Sequence, residues 1–212
     1  MGGVFLAGQM GWLRVALAAG SVQKGVHQLK GDVRINDASA REGMDVKAGD
    51  VVVTGAASSV VFVTYKDAFL VRADSRIEAI GRSGEPFLTG LRVVTGALLS
   101  VFSPGERKTI HIPTATVGIR GTGIYIEVEP SRGYVCLCYG KAEITSTIDP
   151  TVRESLQTQY HDQPRYVMGE GAAEILVRAP VINHTDAELT MLEGLTGRRP
   201  PFLDSGGYSS GY

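Results

Sequence analysis

This sequence contains little cysteine, and neither positive nor negative residues are in clear excess. Two cysteines in 212 residues are too few for a disulfide framework. Lysine and arginine number 21 against 22 aspartate and glutamate residues, so the formal net charge is -1. The basic excess that usually accompanies nucleic-acid binding is therefore missing. Hydrophobic residues make up 43% of the chain, which excludes wholesale disorder and suffices for a sizeable core.

Glycine is abundant, with 27 residues spread along the chain. Between the glycines lie short alternating runs rich in Val, Ile, Phe and Tyr, for example at residues 50–54, 59–64 and 123–128. Such runs at regular spacing predict a mainly β fold, a sandwich or a roll, over residues 21–148. Glycines that directly precede a run indicate turns that start strands, as at Gly31, Gly96 and Gly140.

The N-terminal stretch GGVFLAGQMGWLRVALAAG is apolar except for Gln9 and Arg14. Its small residues near the end resemble a signal-peptidase site, so we interpret residues 1–20 as a signal-like segment. No positive region precedes the apolar run, and Arg14 lies inside it. An uncleaved anchor and an ordinary buried segment therefore remain as alternatives. An export signal would place the remaining chain in an oxidising compartment.

Residues 149–203 are interpreted as a C-terminal extension of the β domain. Within it, residues 151–160 are expected to form a short helix or a loop, and residues 174–178 one more strand. The tail at residues 204–212, DSGGYSSGY, is flexible by composition.

A helix is expected over residues 185–196. Thr185 can cap its N-terminus, and Glu188 follows at the spacing of a capping box. Three leucines recur at helical spacing within it: Leu189, Leu192 and Leu195. Gly197 and the two prolines that follow end the helix.

Three different segments of the chain follow one another in the order found in a known domain family. Residues 43–55 read GMDVKAGDVVVTG and are followed by an alternating strand and by ADSRI at residues 73–77. Residues 90–96 read GLRVVTG, and residues 112–123 read IPTATVGIRGTG before strands that end in YGKAE. These segments, within about residues 21–145, resemble the FecR domain, the periplasmic module of iron-responsive regulators and of stand-alone exported proteins.

The resemblance implies an exported, non-enzymatic β domain for sensing or scaffolding, in the periplasm or cell envelope of a Gram-negative bacterium. Its partner would be another envelope protein and not a nucleic acid. Membrane association would occur only through residues 1–20, if they are not cleaved. The transmembrane regulators carry a cytoplasmic anti-sigma region, and we expect no counterpart of it here. Signalling to a sigma factor is therefore not carried over.

Two cysteines and two histidines form a candidate metal site. Cys136 and Cys138 flank one residue of a predicted strand, so both sulfurs should lie on the same face. With His161 and His184 they supply the donors that zinc prefers and that also suit iron. Nearby carboxylates that could orient the imidazoles are those of Asp162 and Asp186.

Two other interpretations of the cysteine pair stay open. In one, the thiols are small buried hydrophobic groups, reduced and without a ligand. A disulfide would be strained or intermolecular, because residues i and i+2 of an extended strand are poorly placed to pair. The spacing also differs from the Cys-x2-4-Cys of usual zinc motifs.

The sequence GIRGTG invites comparison with phosphate-binding loops. It lacks the Lys-Ser/Thr ending of a P-loop, and it lies between predicted strands. We interpret Gly118, Gly121 and Gly123 as the close-packed positions of a tight arch between two strands. Arg120 would fix the arch through carbonyl or carboxylate groups, with anion binding as the alternative.

No sequence pattern points to catalysis. The chain has neither a Gly-x-Ser-x-Gly elbow nor a His-Glu-x-x-His helix. A Cys138–His161 pair is conceivable, but nothing specifies an oxyanion hole. We therefore predict a non-catalytic binding, sensory or scaffolding module without a certain cofactor. The alternative is a metal-binding protein with zinc or iron in a Cys2His2-type site.

Overall fold

Strands dominate the computed structural model, which describes residues 24–203. Fourteen strands in this range are joined by hydrogen bonds into one open sheet. They are β1 (Gly25–Lys30), β2 (Val33–Ile35), β3 (Ala38–Ser39), β4 (Val51–Thr54), β5 (Ser59–Thr64), β6 (Asp67–Val71), β7 (Arg76–Gly81), β8 (Leu88–Val101), β9 (Arg107–Ile112), β10 (Ala115–Glu129), β11 (Arg132–Ser146), β12 (Arg153–Thr158), β13 (Arg165–Met168) and β14 (Leu176–Arg178). Helix α1 (Asp186–Leu195) and a 3-10 helix (Pro201–Leu203) follow.

The mainly β fold with a short C-terminal helix is thereby confirmed. The predicted signal-like segment at residues 1–20 and the predicted flexible tail at residues 204–212 lie outside the described residues. Over residues 24–203, neither helical segment has the length and apolar character needed to cross a membrane.

The sheet bends because its longest strands change partners along their length. β10 pairs with β9 along its first half and with the end of β8 along its second half. The beginning of β8 pairs antiparallel with β7 and parallel with β9. A branch runs from β8 through β6 and β5 to β1. One face of the bent sheet encloses the main hydrophobic cluster, which extends from Val33 of β2 to Val167 of β13.

The central strands are buried on both faces. On β11, Val135 and Leu137 belong to the main cluster, whereas Tyr134, Cys136 and Cys138 lie in a second cluster on the opposite face. This division follows from the alternation of side chains along a strand. It confirms that both cysteines share one face.

The C-terminal extension covers this second cluster. Leu189 and Leu192 of α1 pack into it together with Phe202 of the 3-10 helix, and the two leucines are 0% exposed. Burying a leucine contributes roughly 1.5–3 kcal/mol. The helix therefore docks through one apolar face and closes the cluster from solvent.

Helix α1 forms as the sequence predicts for residues 185–196. The Thr185 side chain accepts a hydrogen bond from the backbone N–H of Glu188, and the Glu188 carboxylate accepts one from the backbone N–H of Thr185. The same carboxylate lies 2.9 Å from the Arg72 guanidinium at the end of β6. The capping box thus also fixes the start of the helix to the sheet.

The extension contains more sheet than predicted. The expectation of a helix or loop at residues 151–160 is wrong, because β12 pairs with the second half of β11. β13 was not expected, and it pairs with the first half of β11. The strand predicted at residues 174–178 is present in shorter form as β14. Only Leu156 and Thr158 of β12 are buried, so its sequence carries little apolar alternation.

Candidate metal centre

The four predicted ligands come from two parts of the fold. β11 supplies Cys136 and Cys138, and the extension supplies His161, just after β12, and His184, just before α1. The nearest ligand atoms of the four side chains all lie within 4.8 Å of one another. Both cysteines are free thiols and are 0% exposed, while the histidines are 9% and 8% exposed. The structure thus brings together all four residues.

The backbone holds His161 against β11. Its N–H donates to the Cys138 carbonyl at 3.1 Å, and its φ of 38° lies in the left-handed region. The Nε2 atom lies 3.2 Å from Asp186 Oδ1, an ion-pair contact outside hydrogen-bonding geometry. Tyr160 donates its hydroxyl hydrogen to the other oxygen of Asp186 at 2.7 Å. A strained non-glycine residue at this position matches the strain often stored at functional sites.

His184 is fixed by its outer nitrogen and by ring stacking. Its Nδ1 lies 2.6 Å from the Ile182 carbonyl, an arrangement in which Nδ1 donates. Its ring stacks on Tyr125, with the ring centroids 4.6 Å apart. In the neutral ring Nε2 therefore carries a lone pair, and it lies 3.0 Å from Nδ1 of His161.

The two thiols differ in their readiness to ionise. The pKa of Cys136 is lowered, first by hydrogen bonding from Cys138 and then by the two imidazoles, against the effect of burial. The pKa of Cys138 is raised because the thiol is buried and the Cys136 sulfur is its neighbour. Cys136 Sγ lies 3.6 Å from His161 Nδ1, and Cys138 Sγ lies 3.7 Å from the Cys136 carbonyl oxygen. Cys136 is therefore the thiol of this pair that ionises more readily.

These distances approach those of a tetrahedral metal site. Typical zinc bond lengths imply separations of about 3.3 Å between two nitrogens, 3.5 Å between nitrogen and sulfur, and 3.8 Å between two sulfurs. The observed nitrogen–nitrogen distance is 3.0 Å and the Cys136–His161 distance is 3.6 Å. The widest separation, up to 4.8 Å, would have to shorten by about 1 Å to reach this geometry.

Sequence reasoning assigned the supporting groups only in part. Asp186, which was expected to orient one of the imidazoles, contacts His161. Asp162 lies instead in a surface groove lined also by Glu154 and Arg165. The Ile182 carbonyl and the Tyr125 ring could not be found from the sequence, because neither has a recognisable spacing from the histidines.

The predicted glycine arch has a different form. Residues 115–129 make one continuous strand, β10, with a register shift between Arg120 and Gly123, so the expectation of an arch between two strands is wrong. Gly121 lies in this bulge with φ of 58°, the left-handed conformation that glycine commonly adopts in a β-bulge. Gly118 is open on one side, with its nearest neighbour 3.9 Å from a Cβ position. Arg120 is exposed and bonds neither a carbonyl nor a carboxylate among residues 24–203.

Comparisons with known proteins give a distant likeness. No protein-family model matches the chain, and no curated protein matches it. Two crystal structures, each described as a putative anti-sigma factor from Parabacteroides distasonis, are similar to it at 11% sequence identity, with TM-scores of 0.49 and 0.48. Each match covers 60% of this chain and 59% of the other, so the chain spans about three fifths of their length. This likeness assigns no function, and membership of the FecR family stays a prediction.

Proposed function

We propose that this chain is a non-catalytic binding domain whose C-terminal extension carries a closed Cys2His2 centre for one zinc or iron ion. The observation that carries the proposal is the contact between two imidazole nitrogens, His161 Nδ1 and His184 Nε2, at 3.0 Å beside Cys136. A positive charge, from an added proton or a metal ion, is needed beside these two nitrogens.

The positions of the hydrogen atoms on the two imidazoles explain why a positive charge is needed. A neutral His184 donates through Nδ1 to a carbonyl, which leaves a lone pair on Nε2. A neutral His161 has one lone pair, and that pair faces either His184 Nε2 or the Asp186 carboxylate. Either choice opposes two electron-rich atoms, and the contact between the two imidazoles is buried, where such contacts are costly. A doubly protonated histidine, either His161 or His184, relieves it, and so does a metal ion bound by both inner nitrogens.

The sulfurs favour the metal ion. A protonated His161 would form an ion pair with one thiolate, whereas a metal ion would bind both cysteine sulfurs and both imidazoles at once. Neutral imidazole and thiolate together select zinc, iron or copper over magnesium and calcium, which prefer oxygen. The outer nitrogens already face an oxygen acceptor each, the arrangement that orients histidine ligands in known metal sites.

One ion fits better than an iron–sulfur cluster. In a two-iron centre with two cysteine and two histidine ligands, the cysteines bind one iron and the histidines bind the other. Here Cys136 and His161 are 3.6 Å apart, a separation suited to ligands of the same ion. Four protein ligands would leave no open coordination position, which is typical of structural rather than catalytic zinc.

The proposed centre would connect the extension to the sheet. Its cysteines belong to β11, and its histidines lie in the two connections that lead to β13 and to α1. Binding energy for the metal would then become folding energy for this part of the chain. We further propose that the domain acts in the cell envelope as a sensory or scaffolding module with a protein partner. The β fold and the sequence resemblance support this role.

The test uses the full chain, expressed without a polyhistidine tag. Elemental analysis is expected to give about one zinc or iron per chain, and X-ray absorption a first shell of two sulfurs and two nitrogens. Cys136→Ser and His184→Gln should lose the metal, while the matched control His111→Gln, whose ring bonds Thr116 outside the site, should retain it. A metal-free protein that also fails to take up added zinc or iron, although folded, would refute the proposal.

A further inference from the structure

A row of three cations crosses the outer face of the sheet, away from the metal centre. Arg120 of β10 lies directly opposite Arg107 of β9 and directly opposite Lys141 of β11. All three residues are exposed. Opposed residues on neighbouring strands have Cβ atoms about 4.5–5.5 Å apart, so like charges at these positions destabilise a sheet.

Within the described range, residues 24–203, these charges are not neutralised. Among residues 24–203, none of the three side chains makes a hydrogen bond or an ion pair. The adjacent row contains one carboxylate among the described residues, that of Glu143, which lies opposite Gly118 and Ser155. The face therefore keeps a local positive excess, although the whole chain has a net charge of -1.

The row borders a groove of about 670 Å³. Gly118 leaves a hollow in it, because a Cβ at that position would have a neighbour only at 3.9 Å. Hydroxyl and amide groups line the same groove, namely those of Thr109, Ser155 and Gln157. The groove thus combines fixed positive charges with neutral hydrogen-bonding groups.

We infer that this groove binds an acidic peptide segment of a protein partner. Two strand spacings separate Arg107 from Lys141, about 10 Å, and side chains i and i+2 of an extended peptide are about 6.6–6.8 Å apart. Two glutamate side chains on one face of such a peptide can therefore reach all three cations. Gln157, opposite Lys141, and Ser155, opposite Glu143, can bond to the peptide backbone.

Other polyanions fit this groove less well. Its lining contains no Phe, Tyr or Trp on which bases could stack, and single-stranded nucleic acids rely on such stacking. The apolar residues of the lining, Ile119, Ala142 and Leu156, are at most 6% exposed, so none projects to enter a membrane.

The experiment measures fluorescence anisotropy of a labelled Glu-Ser repeat peptide with the full chain at low salt. Arg120→Glu and Lys141→Glu should each weaken binding at least tenfold, and the double variant should gain affinity for a Lys-Ser peptide. Exposed cations elsewhere supply the controls, Arg41→Glu and Arg82→Glu, which should change affinity less than twofold. Affinity should fall as salt is added.

Three results would overturn the inference. One is equal binding of a Gln-Ser peptide, and another is unchanged affinity in the Arg120→Glu/Lys141→Glu variant. The third is tighter binding of oligo(dT) or of phosphatidylglycerol vesicles than of the acidic peptide at the same salt. Unfolding of the variants is checked by thermal denaturation. We expect the melting temperature of Arg120→Glu not to fall, because the change removes two like-charge contacts.

Discussion

The backbone N–H of His161 donates a hydrogen bond to the carbonyl of Cys138, so one candidate ligand residue positions the other. The bond holds His161 with φ of 38°, where a residue with a Cβ is strained. In the proposed metal site, the position of His161 is therefore set by its backbone hydrogen bond as well as by its side-chain rotamer.

This strain can be measured by comparing His161→Gly with His161→Ala. Both remove the imidazole, but only glycine adopts a positive φ without a steric penalty. In the presence of a chelator, we expect the glycine variant to be more stable by about 1 kcal/mol in urea denaturation. Both variants should lose bound zinc or iron. Equal stability of the two would show that the backbone relaxes at this position.

The ion pair of Asp67 and Lys108 offers a second prediction. Its atoms are 2.9 Å apart, and the side chains are 0% and 1% exposed. Asp67 also accepts from the Ser103 N–H, and Lys108 donates to the Leu88 carbonyl. Lys108→Met leaves a buried carboxylate unpaired and should lower the free energy of unfolding by about 3–5 kcal/mol.

A surface ion pair is the control for that change. Lys47 lies 3.8 Å from Asp45, and both side chains are about half exposed. Lys47→Met should cost less than about 1 kcal/mol. Chemical denaturation of the two variants provides the comparison. Similar losses from both would mean that water reaches the Asp67 pair.

Local patterns in the sequence predicted the elements that local rules determine. The capping box at Thr185 and Glu188 located α1, and alternation placed Cys136 and Cys138 on one face. A turn was predicted correctly at Gly31, which separates β1 from β2. Each of these features depends on residues within a few positions of one another.

Features that depend on distant contacts were not predictable in the same way. Gly96 and Gly140 precede alternating runs as Gly31 does, but each lies inside a long strand, β8 or β11. β12 exists because β11 offers it a partner, not because its own sequence alternates strongly. The approach of His161 and His184 likewise depends on the path of the extension across the sheet. In the sequence, only the small number of cysteine and histidine residues suggested that these residues share a site.

The pair of Glu154 and Arg165 should make stability depend on pH. The Arg165 guanidinium bonds both carboxylate oxygens and lowers the pKa of Glu154 below its ordinary value of 4.5. A carboxylate whose pKa is depressed by folding stabilises the protein above its unfolded pKa. This contribution is lost as the pH falls below 4.5, through the lower folded pKa.

The measurement is thermal unfolding of Glu154→Gln and the unchanged protein across this range. At neutral pH the variant should be less stable by up to about 1 kcal/mol, since the carboxylate is partly exposed. The difference should vanish at acid pH, where both proteins lack the charge. The exposed Glu170 provides the control, and Glu170→Gln should show no such trend. A difference that persists unchanged in acid would indicate packing rather than charge.

Two glycines of the GIRGTG segment distinguish packing from ligand binding. A Cβ on Gly123 would lie 2.4 Å from the ring of Tyr139, which is buried and whose hydroxyl bonds the Glu193 carboxylate of α1. A Cβ on Gly118 would meet nothing closer than 3.9 Å. Gly123→Ala should therefore destabilise the protein by roughly 1–3 kcal/mol through overpacking, and Gly118→Ala should not.

Urea denaturation of both variants decides between the two roles, because the segment is the same and only the space around the glycine differs. A large loss confined to Gly123→Ala would mean that this glycine is required for the contact between the sheet and α1 through Tyr139. Gly118→Ala should then affect the groove beside Arg120 alone, with weaker binding of the acidic peptide and unchanged stability. Equal losses from both variants would contradict this division, since the open surroundings of Gly118 give no steric reason for one.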